Sequence, residues 1–262
     1  MPSADSRVAE VRAQLATVSD PELDESVIDL GFVSKVAVSD AGDVSVGFRL
    51  PTFWCSANFA FLMAADMRES IVQLPWVRRI YIDLVDHFCS DQISWAASRG
   101  VPFEGSFGED AGGDLSEVRL TFRRKAFQKR QEMLLRHLLA MVYPPGIVSL
   151  RVQDLVSLPL DESGTLLRAR YLDVRRQLGF PTEENVLAIH DVDGCAVQHA
   201  DLTRYMLALR RVGLNADFNS ELCRGLLPDR ILTDPHGLVR GDAPVDYAIP
   251  LAILRVVTAV PP

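Results

Sequence analysis

Cysteine is sparse in this chain and never paired in sequence. The four thiols, Cys55, Cys89, Cys195 and Cys223, stand far apart with no CxxC spacing. Neither a disulfide framework nor a zinc knuckle is therefore indicated, and each reads as a free thiol or an isolated ligand. Long apolar runs are lacking too. No stretch approaches the roughly eighteen uninterrupted apolar residues that a membrane-spanning helix needs, and the N-terminal Met-Pro-Ser-Ala-Asp-Ser-Arg-Val has neither the charged nor the apolar region of a secretory leader. The sequence reads as a cytoplasmic protein with no membrane partner. Positive charge is in deficit, with 27 Lys and Arg against 35 Asp and Glu, a net charge of -8 and a pI near 5.2. That balance gives no global attraction to nucleic acid, so no nucleic-acid partner is expected. There is also no internal repeat or low-complexity tract. What remains is an ordinary globular composition, 48% hydrophobic and 24% charged over 262 residues, enough to bury a core and to form two modest domains.

Hydrophobic spacing organises the first hundred residues. Ser6 to Val18 carries apolar side chains at Val8, Val11, Leu15 and Val18, a helical period that Pro21 closes. After the turn Asp29-Leu-Gly31, Val33 to Val38 alternates, Asp40-Ala-Gly-Asp43 turns, and Val44 to Phe48 alternates again, which predicts a hairpin. Ala57 to Leu74 is helical and strongly apolar with Pro75 as its stop, and Arg79 to Leu84 returns as a strand of period two. The order α-β-β-α-β predicts an α+β domain over residues 1–104, with a small mixed three-stranded sheet and helices on one face. Glycine and acidic residues at 105–114 read as a linker or exposed loop. Residues 115–262 read as a mainly helical second domain, with helices at Thr121 to Tyr143, Gly164 to Leu178, Asp201 to Val212 and Asn219 to Leu227. The apolar tail Tyr247 to Val260 reads as a strand or a packed arm.

Candidate chemistry gathers in the first domain. Cys55 lies where Arg49-Leu-Pro-Thr-Phe-Trp breaks a strand and Ser56-Ala-Asn-Phe opens a helix. A thiol in the first turn of a helix faces unpaired N–H groups and the positive end of the helix dipole, which favour thiolate. Cys55, Cys89 and His87, with a carboxylate from Asp20 or Glu22, have the types of a first shell for zinc, iron or part of an iron–sulfur cluster. The alternative is that Cys55 and Cys89 are small buried hydrophobes and His87 a loop histidine. Asp20 could equally cap its turn, and the Thr52 hydroxyl could order the loop around Cys55. The basic run Phe122 to Arg130 reads as a helix face with acidic partners inside the protein. His190-Asp191-Val-Asp193-Gly-Cys195 reads as a loop without the glutamate a calcium loop needs. Cys223, on a helix between Leu222 and Leu226, reads as a buried and inert thiol.

The ordered set Val18-Ser-Asp-Pro-Glu-Leu23, Val27-Ile-Asp-Leu-Gly-Phe-Val33, a hairpin, Pro51-Thr52 with Cys55-Ser56, and Leu74-Pro-Trp-Val77 before Ile80 to Leu84 resembles the iron–sulfur assembly domain of SufT, PaaD and the eukaryotic cytosolic cluster-targeting factor. The resemblance covers roughly Val8 to Ser94. It implies an α+β fold and a role in maturing iron–sulfur or other metal-dependent proteins, with Asp20 and Glu22 as the acidic pair and Cys55 as the functional cysteine. Two departures stand out. Only Phe53 and Trp54 separate Thr52 from Cys55, where the family has three residues. His87-Phe88-Cys89 also stands where the family places a proline-tryptophan segment.

The leading expectation is a non-enzymatic maturation protein that holds iron, zinc or an iron–sulfur cluster transiently through Cys55 and delivers it to a metalloenzyme client. An iron-dependent oxygenase would be such a client, given the PaaD-like relatives, and a cluster shared between two copies of Cys55 would make a homodimer part of the mechanism. Two other readings remain: an adaptor that keeps the fold without the chemistry, and a cysteine enzyme using Cys55 as nucleophile with His87 as base and Asp86 behind it.

Overall fold

In the hairpin and the strand that joins it, every second residue is branched or aromatic, and the alternation settles which face is covered. A computed structural model describes residues 4–108, 115–141 and 146–233. Strands β1 (Val33–Val38), β2 (Asp43–Arg49) and β3 (Arg79–Val85) form one sheet in the order β1-β2-β3. The β1–β2 pair is antiparallel and pairs Val36 with Val46, with an irregularity between Val33 and Lys35; the β2–β3 pair is parallel and pairs Val46 with Ile82. This is the mixed α+β sheet that the α-β-β-α-β order predicts. Val44, Val46, Phe48, Ile80, Ile82 and Leu84 are buried on the covered face. Each such side chain contributes about 1.5–3 kcal/mol relative to exposure.

Two helices make that face a core. Helix α1 (Ala4–Leu15) buries Val11 and Leu15. Helix α2 (Ala57–Val72), the crossover between the parallel strands, buries Ala57, Ala60, Phe61, Ala64, Met67 and Ile71, the stripe expected at three- and four-residue spacing. Helix α3 (Ser90–Arg99) is not evident in the apolar pattern, because its buried side is only Ile93, Ala96 and Ala97. It runs along the free edge of β3, where the amides of Ile82 and Leu84 donate to the hydroxyls of Ser98 and Ser94, each at 2.9 Å. Strand amides that lack a neighbouring strand are thereby satisfied and the edge is closed to further pairing. Gly100, at φ 69°, ends α3 in the left-handed conformation that a helix C-terminus favours.

Of the expected linker, Gly105 to Phe107 belong to the short helix α4 (Phe103–Phe107), and residues 109–114 lie outside the described residues. The expected stop at Pro144-Pro145 and the apolar tail at 247–260 also fall outside them. The chain divides into two compact units, one made of residues 1–115 and 219–262, the other of residues 116–218. The second unit is helical: α5 (Ser116–Ala140), α6 (Val152–Ser157), α7 (Glu162–Gln177) and the first part of α8 (Leu202–Thr233). Its core gathers Phe127, Leu134, Leu135, Leu138, Leu155 and Tyr171. The basic run on α5 has internal partners there: Arg124 pairs with Asp193, Lys129 with Asp217 at 3.2 Å, and Arg130 with Asp173 at 3.6 Å. The helices expected at 201–212 and 219–227 are one continuous helix, α8, with Pro228 inside it. No helix among the described residues is long and apolar enough to cross a membrane.

Candidate functional site

The acidic turn is built by Asp20 itself. Its Oδ1 accepts the backbone amides of Glu22 at 2.8 Å and Leu23 at 2.9 Å, while its own amide donates to the Glu25 carbonyl. A bridge between Ser19 and Ser26 closes the loop, and Asp24 takes a positive φ of 55° within it. Asp20 is buried, and that burial pushes its carboxyl from an ordinary 3.8 up to about 6; the two amide bonds lower it, and Glu22 and Glu25 raise it further. Two amides hold the carboxylate in place, yet the fold surrounds it with little water and like charge. Glu22 points outward from the same turn and accepts the Asn219 amide at 3.1 Å.

Cys55 stands on the loop between β2 and α2. It precedes Ser56, the N-cap of α2, so it lies just outside the first helical turn that the sequence pattern indicates, and Ser56 makes no side-chain cap bond. The Cys55 thiol is half-buried and 3.2 Å from the Thr52 hydroxyl, and its amide donates to the Thr52 carbonyl. Thr52 thus orders the loop around the thiol.

The loop after β3 braces the Cys55 loop from the other side. Asp86 adopts a positive φ of 55°, turning the chain so that His87 points inward. The Cys89 amide donates to His87 Nδ1 at 3.1 Å, so Nε2 carries the proton and donates to the Cys55 carbonyl at 2.8 Å. Both ring nitrogens are therefore engaged with backbone. Cys89 is buried, which pushes its thiol up to about 12. The Phe88 amide donates to the Phe53 carbonyl, and Trp54 stacks on Phe88 at 5.7 Å, with Phe53 edge-on to Trp54 at 4.8 Å. Trp54 remains 66% exposed.

The structure thus joins the Thr52–Cys55 loop to the His87–Cys89 loop. Among the described residues, however, no group of three or more His, Cys, Asp and Glu side chains is arranged to hold a metal ion. The residue that sequence reasoning missed is Cys223. It is half-buried rather than inert in a core, and its thiol is pushed up to about 11, by burial first and then by Asp20, Cys55 and Glu22. One helical thiol is therefore within electrostatic reach of the acidic pair and of Cys55 at once. A lone cysteine on a leucine-rich helix carries no sequence signal of such a position.

In the second unit, the polar cluster at His190 to Cys195 is a tight loop. Asp191 Oδ1 accepts the amides of Asp193 and Cys195, and His190 is buried against Phe127 and Phe180.

Residues 8–82 match the family described as iron–sulfur cluster assembly protein. An uncharacterized protein of Methanocaldococcus jannaschii is 28% identical over 80 residues, 30% of this chain and 82% of that relative. A crystal structure of a domain of unknown function, DUF59, from Bacillus anthracis aligns at 20% identity and a TM-score of 0.30, covering 37% of this chain and 92% of that one. Asp20, Glu22, Thr52 and Cys55 lie inside the matched segment, whereas His87, Cys89 and Cys223 lie beyond it. Over residues 8–82, the chain carries an N-terminal domain of the iron–sulfur cluster assembly type.

Proposed function

We propose that this protein binds a metal ion or an iron–sulfur cluster transiently through Cys55 and passes it to a metalloenzyme client, such as an iron-dependent oxygenase, without itself turning over a substrate. The observation that carries the reading is the position of Cys55. Its partly exposed thiol lies against the Thr52 hydroxyl, on a loop that His87 fastens through the Cys55 carbonyl. Fixed backbone with a reachable thiol suits a ligand that must accept and release its cargo, because an incomplete thiolate shell leaves positions open to exchange. Asp20 and Glu22 are the acidic pair that the family resemblance implies. Cys89, buried and with its thiol raised, is poorly suited to act as a thiolate ligand.

The cysteine-enzyme reading has less support, since His87 Nε2 faces the carbonyl of Cys55 and not its sulfur. One observation favours an adaptor role beside cluster handling. Phe53, Trp54 and Phe88 form a partly exposed aromatic cluster beside Cys55, of the kind enriched where proteins dock.

Anaerobic reconstitution with iron and sulfide, followed by visible absorption and metal analysis, tests the proposal. Wild type is expected to develop a chromophore with stoichiometric iron and sulfide, and Cys55→Ser to lose it. If neither protein takes up iron, the carrier reading falls and the adaptor reading remains. A mass measurement on the reconstituted protein shows whether two chains share one cluster.

A further inference from the structure

Helix α8 leaves an apolar stripe bare along much of its length. Leu207, Leu214, Phe218 and Leu222 recur at steps of seven and four, so they fall on one side of the helix, and all are exposed, Leu207 by 61% and Phe218 by 70%. The buried residues Leu209, Ser220 and Leu227 lie on the opposite side. Exposed leucines scattered singly need no explanation, whereas an ordered stripe of large apolar side chains marks an interaction surface. Two charges lie within it. Arg211 and Glu221 are both exposed, and neither forms an ion pair among the described residues. Gly225 follows on the same side, where an added Cβ would meet nothing within 4 Å, so no packing among the described residues calls for a glycine that weakens a helix interior.

We infer that a second copy of this chain covers the stripe, the two α8 helices packing antiparallel across a two-fold axis at the level of Ala216. The stripe is its own complement in that register. Leu214 and Phe218, Arg211 and Glu221, and Leu207 and Gly225 are each symmetric about Ala216 in the sequence, so an isologous contact sets each member against the other in the second copy. Leu214 and Phe218 then meet twice at the centre, an Arg211–Glu221 ion pair closes each flank, and Leu207 fills the space beside Gly225. Positions 207, 211, 214, 218, 221 and 225 alternate in steps of four and three, the seam spacing of paired helices. A parallel pairing would instead set Arg211 against Arg211 and Glu221 against Glu221, and like charges in contact disfavour it. This association requires no metal, so it is independent of the role proposed for Cys55 and differs from a dimer bridged by a shared cluster.

The test uses the full-length protein with a chelator and a thiol reductant present, followed by sedimentation from low micromolar to near millimolar concentration. Wild type is expected to pass from monomer to dimer. Phe218→Asp alters an exposed position and is expected to weaken association by at least about tenfold, with the far-ultraviolet circular dichroism unchanged. Arg211→Glu and Glu221→Arg are each expected to weaken it by about tenfold. The double reversal, and an equimolar mixture of the two single variants, are each expected to recover it, because opposite charges again face each other across the two-fold axis. A wild type that stays monomeric throughout overturns the inference. So does a dimer that Phe218→Asp leaves intact, or a double reversal no tighter than the single ones. Hydroxyl-radical oxidation of Phe218 gives a second readout on wild type alone. Protection that appears only on dimerisation supports the inference; protection already present in the dilute monomer shows that another segment of the same chain covers the stripe, and overturns it.

Discussion

The imidazole of His87 donates through Nε2 to the carbonyl oxygen of Cys55 at 2.8 Å, so the candidate ligand loop is held by a side chain 32 residues away. The same ring accepts the Cys89 amide, which makes one buried histidine the clasp between two loops. Replacing His87 by alanine leaves a carbonyl and an amide without these partners, at a cost on the order of 2 kcal/mol. Chemical denaturation followed by tryptophan fluorescence is expected to show that loss, because Trp54, Trp76 and Trp95 all belong to this unit. The Cys55 thiol is expected to react faster with a disulfide reagent in His87→Ala. His87→Gln, which keeps an N–H donor, is expected to recover part of both properties.

Asp20 makes the N-terminal unit sensitive to pH in a direction opposite to a paired surface carboxylate. Its folded pKa, about 6, lies above the ordinary 3.8, so the folded state holds the proton more tightly. The resulting stability is fully present below pH 3.8 and is lost as pH rises through 6. Asp20→Asn keeps an oxygen for the amides of Glu22 and Leu23 and removes the buried charge. It is expected to be more stable than wild type above pH 6 by up to about 3 kcal/mol, with the difference vanishing near pH 4. Denaturation midpoints measured across that range check it. Retaining an ionised carboxylate here at neutral pH, against stability, is what a binding role for the turn would require.

In the second unit, His190 donates through Nδ1 to the Asp191 carbonyl at 2.7 Å and lies against Phe127 and Phe180 at 5.3 and 4.4 Å. Burial, with Arg175 nearby, lowers its pKa below 6.5, while the Asp191 carbonyl bond acts in the opposite sense. A depressed histidine contributes stability above its unfolded value that is lost as pH falls below it. The helical unit is therefore expected to lose stability below pH 6.5, and His190→Phe to flatten that slope. Amide exchange of α5 and α7 is the measurement to use, since this unit contains no tryptophan.

Ser94 and Ser98 close the edge of β3 through their hydroxyls. Ser94→Ala is expected to destabilise the protein by about 1–3 kcal/mol and to speed hydrogen exchange at the Leu84 amide. An unchanged exchange rate would show that the Ser94 hydroxyl does not protect this edge.

The sequence by itself determined the α+β order and the three strands to within a residue of each end. Those features follow from period two and period 3.6 alone, and from the glycine and proline punctuation between them. It also singled out Cys55, Thr52, Asp20 and Glu22, because their loops join those elements at recognisable spacings. Helix α3 is not legible in the pattern, since its inner face has only one large apolar residue, Ile93, among alanines and the serines that meet strand amides. Gly213 and Pro228 read as helix ends, yet packing along α8 carries the helix through both. Only the tertiary structure decided what the buried faces meet. That His87 fastens Cys55, and that Asn219 joins a turn 197 residues earlier in the chain, depends on contacts between distant segments. Periodicity tells that a side chain is covered; it carries no information about which chain segment covers it.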